Sequence, residues 1–337
     1  MTASEPVDLE ALVRFLELAD ALTPQAIRIA VTIDLPGKLE TGSDTVARLA
    51  EETSIDPGAL GSLLAHLVER GLLARDGDRF ALTAVGSFMK ESDATFHLDL
   101  RGSTAAMDAA WSGLHHALQT GEPGYPVVHG RGFWDHLATD AALGADFDEY
   151  MRRTSTWTAI AASADLWPET GTVVDVAGGD GRLLTDLLLA RSQLRGVLVE
   201  VPATAERARH RFADAGLADR VDVVEGSFFG VLPPGGDVYV LGHVLHDWPD
   251  VEAVAILEQV RQAMGASGRA VLVEQVLDRD ALTPVQARTD LLMRVLFASK
   301  ERTRSEWEAL AGAAGLRVDA IRPCDGIRML IELQAAP

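Results

Sequence analysis

The sequence predicts an α/β fold: a Rossmann-like, doubly wound C-terminal domain preceded by an α-helical winged-helix domain. Three observations predict it. From residue 172, apolar strand patterns at 173–177, 196–200, 221–224, 237–241 and 269–275 alternate with helical patterns at 182–191, 203–215 and 251–265. Apolar strands joined by crossover helices make a parallel sheet covered on both faces. Next, Val173-Val174-Asp175-Val176-Ala177-Gly178-Gly179-Asp180-Gly181-Arg182 runs from a buried strand through a Gly-rich turn into a helix. Finally, residues 45–83 read as helix, turn, helix and hairpin.

Taken in order, residues 9–22 have helical apolar spacing, and a second helix follows Pro24 and stops before Pro36-Gly37. Residues 45–52 form the next helix. Asp56 caps the one after it, with Pro57 at its first position and Leu60, Leu63, Leu64 and Leu67 on its inner face. Residues 71–83 are two short strands around Asp76-Gly77. A winged helix of this kind can bind DNA, but residues 1–95 hold eight Lys/Arg against sixteen Asp/Glu. The would-be recognition helix offers only His66 and Arg70. Such a surface repels a phosphate backbone, so a dimerisation role is expected instead. Residues 96–119 read as one helix with Met107 and Trp111 on one face, 120–132 as a Gly/Pro-rich loop, and 147–166 as a further helix. Four of the six tryptophans lie between residues 111 and 167. Met107, Trp111, Trp134, Met151 and Trp157 are therefore candidates for an apolar acceptor pocket as well as for core. A helix near 305–314 and strands at 317–321 and 327–333 complete the chain.

Bulk composition narrows the function. The 337 residues carry a net charge of −20, which disfavours nucleic acid as a partner. A neutral or cationic small molecule fits better. Residues 1–20 contain five acidic side chains and no basic leader, and no apolar run approaches the ~18–20 residues that span a bilayer. Cys324 is the only cysteine. Cytoplasmic residence is expected.

In a doubly wound sheet the ligand sits beyond the carboxyl ends of the strands. Those ends carry Asp175 and the Gly turn, Glu200, Gly226-Ser227-Phe228-Phe229, the segment from Gly242 to Asp250, and Glu274. The dinucleotide fingerprint fails because no third Gly follows Gly179-Asp180-Gly181, and an acid at Asp175 would repel a pyrophosphate. No Gly-Lys-Ser/Thr is present. An acid before the turn favours a cationic, phosphate-free cofactor such as S-adenosylmethionine.

The pattern Asp175-x-Ala177-x-Gly179-x-Gly181 resembles the first motif of class I methyltransferases, with Ala177 replacing the first glycine. Together with Gly226-Ser227-Phe228-Phe229, Val244-Leu245-His246-Asp247-Trp248 and Lys300-Glu301-Arg302-Thr303, the chain resembles small-molecule O-methyltransferases of the plant caffeic-acid type and of bacterial aromatic polyketide pathways. The likeness covers nearly the whole chain. It implies a homodimer with residues 1–100 as winged-helix dimerisation domain, 101–165 as linking helices over the acceptor pocket, and 166–337 as the cofactor-binding domain. It implies His246 as general base and Glu274 as an acid orienting it. A second acid is expected after the Lys300–Thr303 motif, with Glu308 the better match and Glu306 its neighbour. Gly179, Gly181 and Asp175 are expected at the methionine end of the cofactor, Glu200 at the ribose, Ser227 and Phe228 at the adenine. Asp247 and Trp248 are expected to seat the cofactor, and Met293 and Phe297 to face the acceptor. The related enzymes are metal-independent, and His243-x-x-His246 has no further ligand set at metal-site spacing. The competing reading is a member of the same fold that binds S-adenosylmethionine but catalyses hydroxylation, decarboxylation or rearrangement. The retained His246 and Glu274 argue against it, while Ala177, Glu200 and Gly242-His243 leave room for it.

Overall fold

The computed structural model describes residues 8–154, 157–163 and 166–337. Parts of the helix expected at 147–166, and the boundary expected at 165/166, lie outside the described residues. The chain divides into two units, Met1–Asp108 and Ala109–Pro337. The segment expected to link two domains thus falls mostly within the second unit.

The first unit contains the winged helix. Helix Val46–Thr53 starts where the Thr45 side chain accepts the Arg48 N–H, and helix Pro57–Glu69 where Asp56 accepts from Ala59 at 2.8 Å. Strands β1 (Leu73–Asp76) and β2 (Arg79–Leu82) pair antiparallel as the wing. Leu60, Leu64 and Leu67 face Leu49, Leu35 and Phe80, each buried leucine contributing ~1.5–3 kcal/mol. The second helix, Leu22–Thr32, stops before Pro36-Gly37 as expected. Asp34 caps a further short helix, Leu35–Glu40, with Pro36 in its first turn, where a proline lacks nothing the helix needs. Helix Leu9–Leu18 buries none of its residues.

The expected helix over 96–119 is broken into Ser92–Leu98, Ser103–Ala109, a 3-10 turn Ala110–Gly113 and Leu114–Thr120. Asp99 pairs with Arg101 and accepts its backbone N–H at 2.9 Å, a local bond that competes with helix continuation. At Gly113 the backbone lies against Gly124 so closely that a Cβ on either would collide with the other's carbonyl. The loop expected at 120–132 contains a short helix, Tyr125–His129.

The second unit is built on the sheet β5-β4-β3-β6-β7-β10-β9, with β3 Gly171–Val176, β4 Leu194–Glu200, β5 Val221–Glu225, β6 Val238–Gly242, β7 Arg269–Leu277, β9 Leu316–Pro323 and β10 Arg328–Ala335. The two-residue strand β8, Arg302–Thr303, pairs with β7. Strands β3 to β7 run parallel, while β10 is antiparallel to both β7 and β9, so the sheet is mixed rather than wholly parallel. Helices Arg182–Ala190, Pro202–Asp214 and Asp250–Met264 fall where the sequence placed them. The apolar strands bury side chains on both faces. One face packs Val174, Tyr239, Leu241 and Leu272 on helix Asp250–Met264, and the other packs Val173, Val240, Val271 and Leu198 on helix Arg182–Ala190. The strand order reverses between β3 and β6, the topological switch point where ligands bind.

Candidate active site

At the end of β3 the chain turns sharply. Ala177 adopts a left-handed backbone, φ 57°, and its N–H donates to Val199 O at 2.9 Å. Gly181, φ 79°, sits against the Phe212 ring and begins the next helix. Asp175 is 2% exposed, and its Oδ2 is buried without a hydrogen-bond partner. Burial, reinforced by Glu200 and Asp180, raises its pKa to about 8. Glu200 ends β4 and accepts the N–H of Val201 at 2.6 Å and of Gly179 at 3.2 Å. Burial raises it to about 7 against the pull of those two N–H groups. Ser227 Oγ accepts the Phe229 N–H at 3.2 Å. Phe228 and Phe229 meet Trp248 edge-on, at 5.5 and 4.8 Å between ring centres. Two proton-holding carboxylates, one with an unsatisfied oxygen, and an aromatic shelf fit a ligand that is cationic and rich in donors. They do not fit a pyrophosphate.

Beyond β6 the chain passes through Gly242, His243 (φ 57°) and Val244 into the 3-10 turn Leu245–Asp247. Glu274 on the neighbouring β7 fastens this turn, its Oε1 accepting the N–H groups of Val244 at 3.1 Å and Leu245 at 2.8 Å. Arg302, fully buried, fastens it from the other side. Its guanidinium donates to Leu245 O and Trp248 O, both at 2.8 Å, and to Asp250 at 2.9 Å, and lies over the Trp307 ring. The turn holds the His246 side chain among three carboxylates. Glu301 Oε1 is 2.8 Å from Nδ1, Glu274 Oε2 is 3.8 Å from Nδ1, and Asp247 Oδ1 is 3.4 Å from Nε2. Burial would push the imidazole pKa down, but Glu301, Asp247 and Glu274 outweigh it and raise it to about 10. Burial likewise raises Asp247 to about 7 and pushes Glu274 upward. One end of the ring is thus committed to Glu301, and the carboxylates make the other end a strong proton acceptor.

The partner of His246 Nδ1 is therefore not Glu308. Glu308 is half-exposed and lies 3.5 Å from Arg304, while Glu306 caps its own helix through Thr303 and pairs with Lys300 at 2.7 Å. The acid lies inside the Lys300–Thr303 motif, not after it. Strand β8 pairs Arg302 with Val276, which sets Glu301 level with Gln275, whose side chain donates to Glu301 at 3.3 Å. The Glu301 N–H is held by Asp290 at 2.9 Å, and Arg279 pairs with Asp290 at 2.6 Å. The four-residue motif was the available signal, but which of its side chains faces His246 depends on a pairing register that spacing does not reveal.

Of the apolar candidates, Phe297 stacks on Trp134 at 5.4 Å and meets Phe133 edge-on at 5.5 Å, and Phe147 joins both. Met293 is buried one turn earlier on the same helix, Pro284–Phe297. Trp157 lies over Gly242, where a Cβ would collide with its ring, and edge-on to His243 at 5.5 Å. Trp111 instead carries the Arg288 guanidinium at 5.2 Å, Met151 is half-buried on helix Ala141–Thr154, and Met107 is buried within the first unit. Phe133 and Phe147 belong to the aromatic cluster without having been singled out in the sequence. His243, His246 and Glu274 offer ligand atoms within 4.8 Å of one another.

The O-methyltransferase domain family matches residues 111–317. The chain belongs to the O-methyltransferase family. A 2,7-dihydroxy-5-methyl-1-naphthoate 7-O-methyltransferase from Streptomyces carzinostaticus is 39% identical to this methyltransferase over 94% of the chain and 96% of the relative. Aclacinomycin 10-hydroxylase RdmB from Streptomyces purpurascens is 38% identical over 94% of the chain and 87% of the relative. Among solved structures, NcsB1, an O-methyltransferase from neocarzinostatin biosynthesis in complex with S-adenosylmethionine and 2-hydroxy-5-methyl naphthoic acid, is 38% identical, covers 95% of this chain and 98% of its own, and superposes with a TM-score of 0.87. The methyltransferase uses S-adenosylmethionine, and its relatives include enzymes acting on hydroxyls of aromatic natural products.

Proposed function

We propose that this methyltransferase methylates a hydroxyl of an aromatic small molecule of secondary metabolism, a polyketide-type naphthol or related phenol, with His246 as general base. The observation that carries the assignment of the base is the 2.8 Å contact of His246 Nδ1 with buried Glu301, backed by Glu274. When bound, the cofactor supplies an electrophilic methyl group and a positive charge. A phenol, with pKa near ~10, is a weak nucleophile until its proton leaves. His246 Nε2 accepts that proton while Nδ1–H stays on Glu301, a contribution of ~10²–10⁴-fold, and positioning of the oxygen supplies more. Asp175, Gly179, Gly181 and Glu200 hold the amino-acid and ribose end. Ser227, Phe228, Asp247 and Trp248 hold the adenine end. Phe133, Trp134, Phe147, Met293, Phe297 and Trp157 wall the acceptor.

We further propose a homodimer working in the cytoplasm. The exposed stripe Leu12, Phe15 and Leu16 on a helix that buries nothing supports the dimer, as an unpaired apolar face of this kind needs a partner. The test of function is coupled product analysis: S-adenosylhomocysteine and a methylated acceptor should appear one for one. The hydroxylase relative at 38% identity supplies the competing outcome, an oxidised or decarboxylated acceptor with no S-adenosylhomocysteine.

A further inference from the structure

His243 is unused by the reaction as described, yet the site is shaped around it. Its backbone is held at φ 57°, a left-handed conformation that histidine tolerates better than most side chains but still adopts rarely. Its Nε2 is buried and has no hydrogen-bond partner. An orphaned buried nitrogen costs ~1–3 kcal/mol, and strain together with an unmet polar atom is tolerated where a ligand meets the need. The ring lies edge-on to Trp157, which can approach because residue 242 is glycine. The base is a neighbour as well, with 5.7 Å between ring centres.

The two imidazoles are driven apart in protonation. Burial, then the charges of Arg328 and His246, hold His243 well below its usual range, while the carboxylates raise His246. One ring is tuned to take up a proton, and the other stays neutral and hydrogen-bonds. A metal ion is the other ligand to weigh, since His243, His246 and Glu274 cluster. But His246 Nδ1 is already committed to Glu301, and Glu274 Oε1 to two backbone N–H groups. A metal would be left Glu274 Oε2 and His246 Nε2, and Nε2 is the atom that takes the acceptor's proton. An oxygen on the acceptor displaces nothing. With a hydrogen bond of about 2.8 Å from each ring, two imidazoles at this separation can reach oxygens on adjacent positions of one aromatic nucleus.

We propose that His243 is a specificity-determining residue, hydrogen-bonding a second oxygen function (hydroxyl, carbonyl or carboxylate) carried next to the hydroxyl that is methylated. The inference rests on the methyl-transfer reading above. The preferred acceptors are vicinally oxygenated aromatics.

The test compares an ortho-hydroxynaphthoic acid and an ortho-dihydroxynaphthalene with a plain naphthol, using wild type, His243→Phe and His243→Asn. His243→Gly serves as a variant free of backbone strain. In His243→Phe and His243→Gly, KM for the ortho-substituted acceptors should rise about tenfold or more. For the plain naphthol it should stay within about twofold, and S-adenosylhomocysteine affinity should not move. His243→Asn, which tolerates the backbone and can hydrogen-bond, should recover most of the loss. Equal losses on all three acceptors, no loss on any, or wild-type activity that a chelator abolishes and Zn²⁺ restores would overturn the assignment. Failure of the wild type to form S-adenosylhomocysteine with any acceptor removes the methyl-transfer reading itself.

Discussion

Ala177 is where the cofactor turn departs from its pattern, and it does so at a cost. A non-glycine residue at φ 57° loses roughly 1–2 kcal/mol relative to an ordinary backbone, part of which glycine would return as entropy. Ala177→Gly should therefore stabilise the protein by up to ~1 kcal/mol and raise Tm by ~1–2 °C in a thermal melt. A lower Tm would mean that the Ala177 methyl packs well enough to outweigh its strain. Asp175 and Glu200 yield a second prediction. Their folded pKa values, about 8 and about 7, lie above ordinary carboxylate values near ~4, so the empty protein loses stability as pH rises through that window. His246, raised to about 10, contributes stability that is full below pH ~6.5 and is lost on the way to its folded value, the same direction. A cofactor that prefers the ionised carboxylates should then bind ~10-fold more tightly at pH 8 than at pH 6, with protons released, as calorimetry in two buffers would report. Glu301 and Glu308 are separated by charge removal. Glu301→Gln should lower kcat and move the acidic limb of the pH–rate profile to lower pH, because the imidazole loses its strongest proton-holding neighbour, whereas Glu308→Gln should change neither.

At the scale of elements, the turn carrying His246 is held by β7 through Glu274 and by β8 through Arg302. Lysine at 302 keeps the charge but cannot reach Leu245 O, Trp248 O and Asp250 together. Arg302→Lys should cost ~2 kcal/mol in urea unfolding and reduce kcat more than it weakens S-adenosylhomocysteine binding. The strands β3 to β7 were legible because each is an apolar run set between helical patterns, and Asp56-Pro57 marked its helix start outright. The breaks in 96–119 were not, since they depend on the Gly113–Gly124 contact, between segments with no local signature of proximity. Glu301 illustrates the same limit at the site. Its motif was visible, yet the inward residue is set by the pairing of Arg302 with Val276. Phe133 and Phe147 escaped notice for a related reason, because an aromatic on a short helix reads as core until its partners are known.

For the whole molecule, the negative charge and the acidic winged helix oppose nucleic-acid binding, and among the described residues no helix is long and apolar enough to cross a membrane. Helix Leu9–Leu18 sets the expectation of assembly. Light scattering should give twice the 36.1 kDa chain mass, and Leu12→Glu with Phe15→Glu should give the single mass. A monomeric wild type would remove the dimer. Whether His246 is the base of a methyl transfer is read from the rate of labelled-methyl transfer in His246→Gln, with S-adenosylhomocysteine affinity measured alongside. As the base, His246 gives a loss of ~10²–10⁴-fold in kcat on replacement, with affinity preserved. A rate within about twofold of wild type would contradict it, since a base worth so little is outside that range.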